Sequence, residues 1–263
     1  MTILDNETVD LPTPRGNMRT SILRPAAPGK YPGIVLWSEI FQITAPVRRA
    51  AAVLAGHGFV VAIPEIWHEL EPPGCVLAYD QAGADKGNAH KTGKELASYD
   101  DDARAVIDCL LAHPHCTGRL GTMGICIGGH LATRTAFHPE IRAAVCFYAT
   151  DIHKRSLAKG MNDDTLDRLG EMKGEMLYIW GKQDPHIPRE GRRIVYDALT
   201  DAGVNFTWHE FNGQHAFMRD EGPRYDPALQ LQCYGLALDL FRRKLHEGDL
   251  SAAEAEGPAE SRH

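Results

Sequence analysis

Gly124-Ile125-Cys126-Ile127-Gly128-Gly129 is the stretch on which the reading of this chain turns. Residues 119–124 before it read as a short apolar strand, and residues 128–138 after it as a helix. A glycine, a nucleophile and a second glycine at this spacing, between strand and helix, form a nucleophile elbow, here with cysteine where serine is more usual. The glycines are required because so sharp a turn strains the nucleophile's backbone and leaves no room for neighbouring Cβ atoms. The turn exposes the sulfur at the carboxyl edge of a sheet and aims the Ile127 backbone N–H at any oxyanion formed there. The helix amino end favours a thiolate. The bland alternative is a glycine-rich helix start around an inert cysteine, so the rest of the chain must decide.

Working outward, residues 31–37 are a continuous apolar run, residues 45–55 have helical spacing, and residues 58–64 are apolar again. That alternation is the mark of strand, helix and strand in a buried parallel sheet. It continues downstream with a helix at 101–113, strands at 143–148, 176–180 and 206–211, a helix at 189–202 and a long amphipathic helix at 227–246. Residues 6–11 and 18–25 flank the turn residues 12–16 and read as an opening antiparallel hairpin. The fold class expected is therefore α/β: a doubly wound, mostly parallel sheet with helices on both faces. Residues 65–99 are rich in Gly, Pro, Asp and Asn without a clean period, and are expected to be an irregular excursion able to roof a pocket. One domain is expected over residues 1–247, followed by a mobile tail at 248–263, where bulky apolar residues are almost absent.

A thiol nucleophile requires a base, and the base an orienting acid. Asp184 follows the strand at 176–180, and His215 follows the strand at 206–211, both where α/β sheets carry functional groups. Singly each is weak, since an Asp before Pro185 is commonly a turn residue and the chain has 13 histidines. The order nucleophile, acid, histidine is that of α/β-hydrolases.

On these residues, together with Ser38-Glu39-Ile40-Phe41, Gly181 to Asp184 and Gly213-Gln214-His215-Ala216-Phe217, the chain resembles the dienelactone hydrolase family of α/β-hydrolases over about residues 15–245. The resemblance implies an α/β-hydrolase fold and a triad of Cys126, His215 and Asp184. It also implies an oxyanion hole from the Ile127 and Ile40 N–H groups, Glu39 touching the resting thiol, and Arg219 facing the carboxylate of an acidic substrate. In the family the glutamate is displaced when substrate docks and helps to deprotonate the sulfur. A neutral thiol beside a carboxylate is also protected from oxidation. Arg219 could equally pair with Asp220 or Glu221 on the surface.

One position departs from the family pattern. Members that bind dienelactone carry a second carboxylate-clamping arginine in a segment similar to residues 64–69, where this chain has Glu69 beside His68, and a glutamate there would repel a carboxylate. Trp67 and Phe217, with Tyr79 and Phe41, are candidates to line an apolar substrate pocket.

The 263 residues have a globular composition, 43% hydrophobic and 24% charged, and a formal charge of −7, which supplies no positive field for nucleic acid or an anionic membrane. The start carries no secretory pattern and no run is long enough to cross a membrane, so a cytoplasmic protein with thiol cysteines is expected. Cys109, His113, His115 and Cys116 cluster in sequence, but their spacing also fits ordinary helix packing. There is no H-E-x-x-H, P-loop or dinucleotide fingerprint. The expectation is a monomeric or homodimeric hydrolase of a small lactone or activated ester that needs no metal and no cofactor. The alternatives are an oxidant-sensing or binding protein of the same fold, or a hydrolase of an unrelated ester.

Overall fold

The computed structural model describes residues 1–246, so the expected tail at 248–263 lies outside the described residues. Eight strands form one sheet: β1 (Ile3–Thr13), β2 (Gly16–Pro25), β3 (Tyr31–Trp37), β4 (Val60–Pro64), β5 (Cys116–Ile125), β6 (Ile141–Phe147), β7 (Glu175–Gly181) and β8 (Phe206–Phe211). Their spatial order is β1-β2-β4-β3-β5-β6-β7-β8. The β1/β2 hairpin and the β2/β4 pair are antiparallel, and every later pair is parallel. Wholly apolar β3 and β4, and β6, apolar from Ala143 to Phe147, occupy the interior of the sheet, because such runs must be covered on both faces.

The register shows what covers them. Gly33 pairs with Leu120 and Ile34 with Gly121, so neighbouring pairs point to opposite faces. Above Gly33 lies Leu110 of α3 (Leu96–Ala112), and above Gly121 lie Phe241 and Leu245 of α6 (Pro227–Leu245). Helices therefore sandwich the sheet. Each fully buried Leu or Phe at these contacts contributes about 1.5 to 3 kcal/mol, more than helix propensity supplies. The remaining helices are α1 (Ala45–Gly56), α2 (Gln81–Gly93), α4 (Ile127–Thr135) and α5 (Arg189–Asp201).

The excursion expected to be irregular is largely helical: α2 lies inside residues 65–99, and α3 begins at Leu96 rather than near residue 101. Helix α2 has glycines at 83, 87 and 93 and no apolar stripe, so periodicity could not reveal it. It forms because Asp80 caps it, accepting from the Gly83 N–H at 2.8 Å, and because it packs closely on the loop after β3. A Cβ at Gly87 would lie 2.6 Å from the Ile40 carbonyl oxygen, an approach only glycine permits. No described helix is long and apolar enough to span a membrane.

Candidate active site

The left-handed turn at the end of β5 carries the sulfur. Cys126 sits at φ 62°, ψ −122°, a conformation that costs about 1 to 3 kcal/mol for a residue with a side chain. A Cβ on Gly124 would fall 1.8 Å from the Gly128 carbonyl oxygen, and one on Gly128 would fall 2.3 Å from that of Trp37, so the bend cannot form with larger residues. The Cys126 N–H donates to Phe147 O at 3.1 Å, and its carbonyl accepts from Gly129 and Thr150, which ties the bend to β6.

The loops after β7 and β8 are stitched together. The Lys182 N–H donates to Phe211 O and the Gln183 N–H to Gly213 O, at 2.8 and 2.9 Å. Gly181 permits this, since a Cβ there would meet Gly213 O at 2.4 Å. The stitching sets Asp184, 3% exposed, against His215, 7% exposed, with Asp184 Oδ2 and His215 Nδ1 2.6 Å apart. The other carboxylate oxygen accepts from the His186 backbone N–H at 2.8 Å, which fixes the acid's rotation. Burial alone would lower the His215 pKa, but the charge of neighbouring Cys126, the Asp184 hydrogen bond and a hydrogen bond to Cys126 outweigh it and raise it to about 10.

Cys126, His215, Glu39, Ile40, Phe41, Tyr79 and Arg219 all line one cavity of about 410 Å³. Glu39 is 3% exposed and accepts from the Tyr79 hydroxyl at 2.5 Å, while Arg219 Nη1 lies 3.7 Å from its second oxygen. Burial pushes the Glu39 carboxyl above its usual range, and Arg219, Tyr79 and His215 only partly offset this. Arg219 stacks over the Tyr79 ring at 4.2 Å. Asp220 and Glu221, its alternative partners from sequence, pair with Arg49 instead. Ile40 N–H belongs to the peptide whose carbonyl, Glu39 O, accepts from the Gln42 N–H at 3.1 Å. Ile127 is the first residue of α4, where an N–H has no intrahelical acceptor.

Two expected pocket residues do not reach the cavity. Trp67 is fully buried beneath it and donates its indole N–H to Ile40 O at 2.9 Å, bracing the loop rather than facing a ligand. Phe217 is also fully buried, its ring edge-on to Tyr148 with centroids 5.2 Å apart. Large aromatics near a sheet edge gain more by filling the core than by lining solvent. Glu69 also lies outside the cavity lining: it accepts from Ser98 and lies 3.0 Å from the Lys94 ammonium. Lys94, completely buried, also donates to Asp102 at 2.6 Å and to Ile66 O, while His68 contacts Asp102 at 2.9 Å. Among the described residues, His68, Glu69 and Asp102 are the acids and imidazole close enough to share a cation, and the Lys94 ammonium bonds two of them. His113 pairs with Glu7 and His115 with Gly29 O, and among the described residues the Cys109 to Cys116 stretch does not gather three ligand atoms at one point.

The sequence did not single out His186, Lys91, Lys154 or Arg224, which also line the cavity. His186, two residues after Asp184, packs edge-on to the His215 ring at 4.6 Å, and burial followed by the His215 charge lowers its pKa. Only proximity in sequence to Asp184 and His215 could have flagged His186 and Arg224.

Residues 18–245 match the model of the dienelactone hydrolase family. This chain belongs to the dienelactone hydrolase family. It is 43% identical over 223 residues to a candidate carboxymethylenebutenolidase of Saccharomyces cerevisiae, covering 82% of this chain and 81% of that one. It is 23% identical to the carboxymethylenebutenolidase of Pseudomonas sp. strain P51, covering 82% and 87%. A candidate dienelactone hydrolase from Klebsiella pneumoniae superposes with a TM-score of 0.80 at 22% identity, covering 92% of this chain and all of that one, which supports the α/β-hydrolase fold. The family match and the resemblance read from the elbow, the Asp184 loop and the His215 loop span nearly the same residues.

Proposed function

We propose that the protein hydrolyses lactones or activated carboxylic esters through a Cys126 thiolate. The observation that carries this reading is the 2.6 Å contact of His215 Nδ1 with Asp184, which leaves Nε2 for a sulfur held at a strained turn in the same cavity. Asp184 holds the imidazole in the tautomer that presents Nε2 and stabilises the imidazolium. Sγ attacks the carbonyl carbon as its proton passes to His215. The oxyanion is met by the Ile127 and Ile40 N–H groups, each such donor being worth about 3 to 4 kcal/mol in comparable sites. Collapse expels the alkoxide or enolate, which takes the proton from His215 and leaves an acyl thioester. His215 then draws a proton from water, the hydroxide displaces the sulfur, and acid leaves. Enol esters and lactones suit a thiol because good leaving groups need little protonation.

Glu39 serves as a gate in this reading. In the resting site its carboxylate is shared between Tyr79 and Arg219. A substrate carboxylate that competes for Arg219 releases Glu39, and the freed carboxylate helps to pass the thiol proton on to His215. The test is mass spectrometry after brief exposure to p-nitrophenyl acetate or a slow lactone. An acyl adduct is expected on the peptide containing Cys126, with turnover lost in both Cys126→Ala and His215→Ala. Oxidation of Cys126 at low peroxide with no ester turnover would replace this reading with a redox one.

A further inference from the structure

The loop that carries Ile40 is gripped from behind by Trp67, Gln42 and Lys94, none of which lines the cavity. The Trp67 indole N–H donates to Ile40 O at 2.9 Å, and its backbone N–H makes a longer bond to Gln42 Oε1 at 3.4 Å. Gln42, held at a φ of 71° that few residues with a side chain adopt, donates its own N–H to Glu39 O at 3.1 Å. The peptides on both sides of Ile40 are therefore held, Glu39–Ile40 by Gln42 and Ile40–Phe41 by Trp67. Among the described residues the indole is the donor to Ile40 O, and Gly87 of α2 closes on the same carbonyl. Behind Trp67, the carbonyl of the Ile66–Trp67 peptide accepts from the Lys94 ammonium at 3.0 Å. One peptide plane thus has its oxygen on Lys94 and its N–H on Gln42. The three N–H groups of the ammonium are taken up by Ile66 O, Asp102 at 2.6 Å and Glu69 at 3.0 Å. Apolar side chains would fill this part of the core at less cost than a buried charge, so stability alone does not account for the lysine.

Resting on the hydrolase reading, in which the Ile40 N–H meets the oxyanion, we infer that Trp67 and Lys94 are positioning residues for that donor. Lys94 fixes the Ile66–Trp67 peptide, the peptide sets the indole on Ile40 O, and the indole holds Ile40 in the conformation that aims its N–H into the cavity. Neither side chain touches the substrate. Their effect falls on the tetrahedral species, because a donor stabilises developing charge most when it is already aimed and weakens steeply as its angle opens.

The test uses Trp67→Phe, which keeps a ring in the core and removes the N–H, with three measurements: turnover of p-nitrophenyl acetate, affinity for a short alkyl trifluoromethyl ketone, and alkylation of Cys126 by iodoacetamide. The ketone carbon bonds to Sγ and its oxygen becomes an oxyanion. Iodoacetamide passes its methylene carbon to Sγ with loss of iodide and forms no oxyanion. A misaimed donor should forfeit part of the roughly hundredfold to thousandfold that such a group supplies, so kcat and ketone affinity are each expected to fall about tenfold, with KM within about twofold. The alkylation rate should stay within about twofold, which a general disturbance of the site would not allow. Lys94→Met should act in the same direction, and the double variant should fall no further than the more impaired single, since both act along one path. Unchanged kcat and ketone affinity in Trp67→Phe, alkylation slowed as much as turnover, or losses that multiply in the double variant each overturn the inference. Trp67→Phe decides alone where Lys94→Met does not fold. If the parent protein turns over no ester, the hydrolase reading fails by itself, and a selective loss of ketone affinity in Trp67→Phe still upholds the positioning role.

Discussion

Asp184 carries more responsibility than its single hydrogen bond to His215 suggests. One oxygen fixes the imidazole and the other is anchored by the His186 N–H, so the carboxylate cannot rotate without breaking a second bond. Asp184→Asn keeps an oxygen for His186 but can turn an amide N–H toward Nδ1, which favours the wrong tautomer. We expect kcat for an activated ester to fall by about a thousandfold or more with little change in KM, and the melting temperature to move by only a few degrees. Steady-state kinetics and a thermal melt on one preparation check both halves. The place of Asp184 beside His215 could be read from its position after a core strand, whereas the His186 anchor could not, since an N–H two residues along has no signature in side-chain type.

At the scale of elements, helix α2 is held by charge and close backbone packing rather than by an apolar face. Glu71 accepts from Lys86, His90 and Cys75, and this holds its carboxyl down at about 2, the Lys86 hydrogen bond being the largest influence. A depressed folded-state pKa contributes stability that is complete above the ordinary carboxylate range and is lost as pH falls toward 2. Glu71→Gln should therefore cost about 1 to 2 kcal/mol at pH 7, discounted because Lys86 is half exposed, and progressively less below about pH 4.5. Urea unfolding of both proteins at pH 7 and at about pH 3 reads this directly, and a gap that widened in acid would contradict the assignment. The same dependence on partners explains why α2 was missed from sequence: its glycines and its Asp80 cap acquire meaning only against the Ile40 loop. The strands and the helix after the elbow were legible because burial on both faces imposes an apolar run whatever the partner.

For the whole molecule, two electrostatic effects oppose each other on an acidic substrate: a net charge of −7 repels it at long range, and the unpaired cations of the cavity attract it at short range. Salt decides between them, because the screening length shrinks from about 30 Å at 0.01 M to about 3 Å at 1 M. If the cavity dominates, kcat/KM for mono-p-nitrophenyl glutarate should fall severalfold across that range while that for p-nitrophenyl butyrate changes by less than about twofold. A rise for the glutarate ester would mean that net charge governs capture. The amino-acid sequence by itself determined the order of the strands and of every helix but α2, the strained cysteine bend, and the acid and histidine at successive strand ends, because these follow from local sterics and from the period of apolar residues. Only the tertiary structure decided which aromatics are core and which face a ligand, that Glu69 is claimed by a buried lysine, and that Arg224 and Lys154 share a cavity with the sulfur. Those outcomes depend on distances between residues far apart in the chain, which no spacing along it encodes.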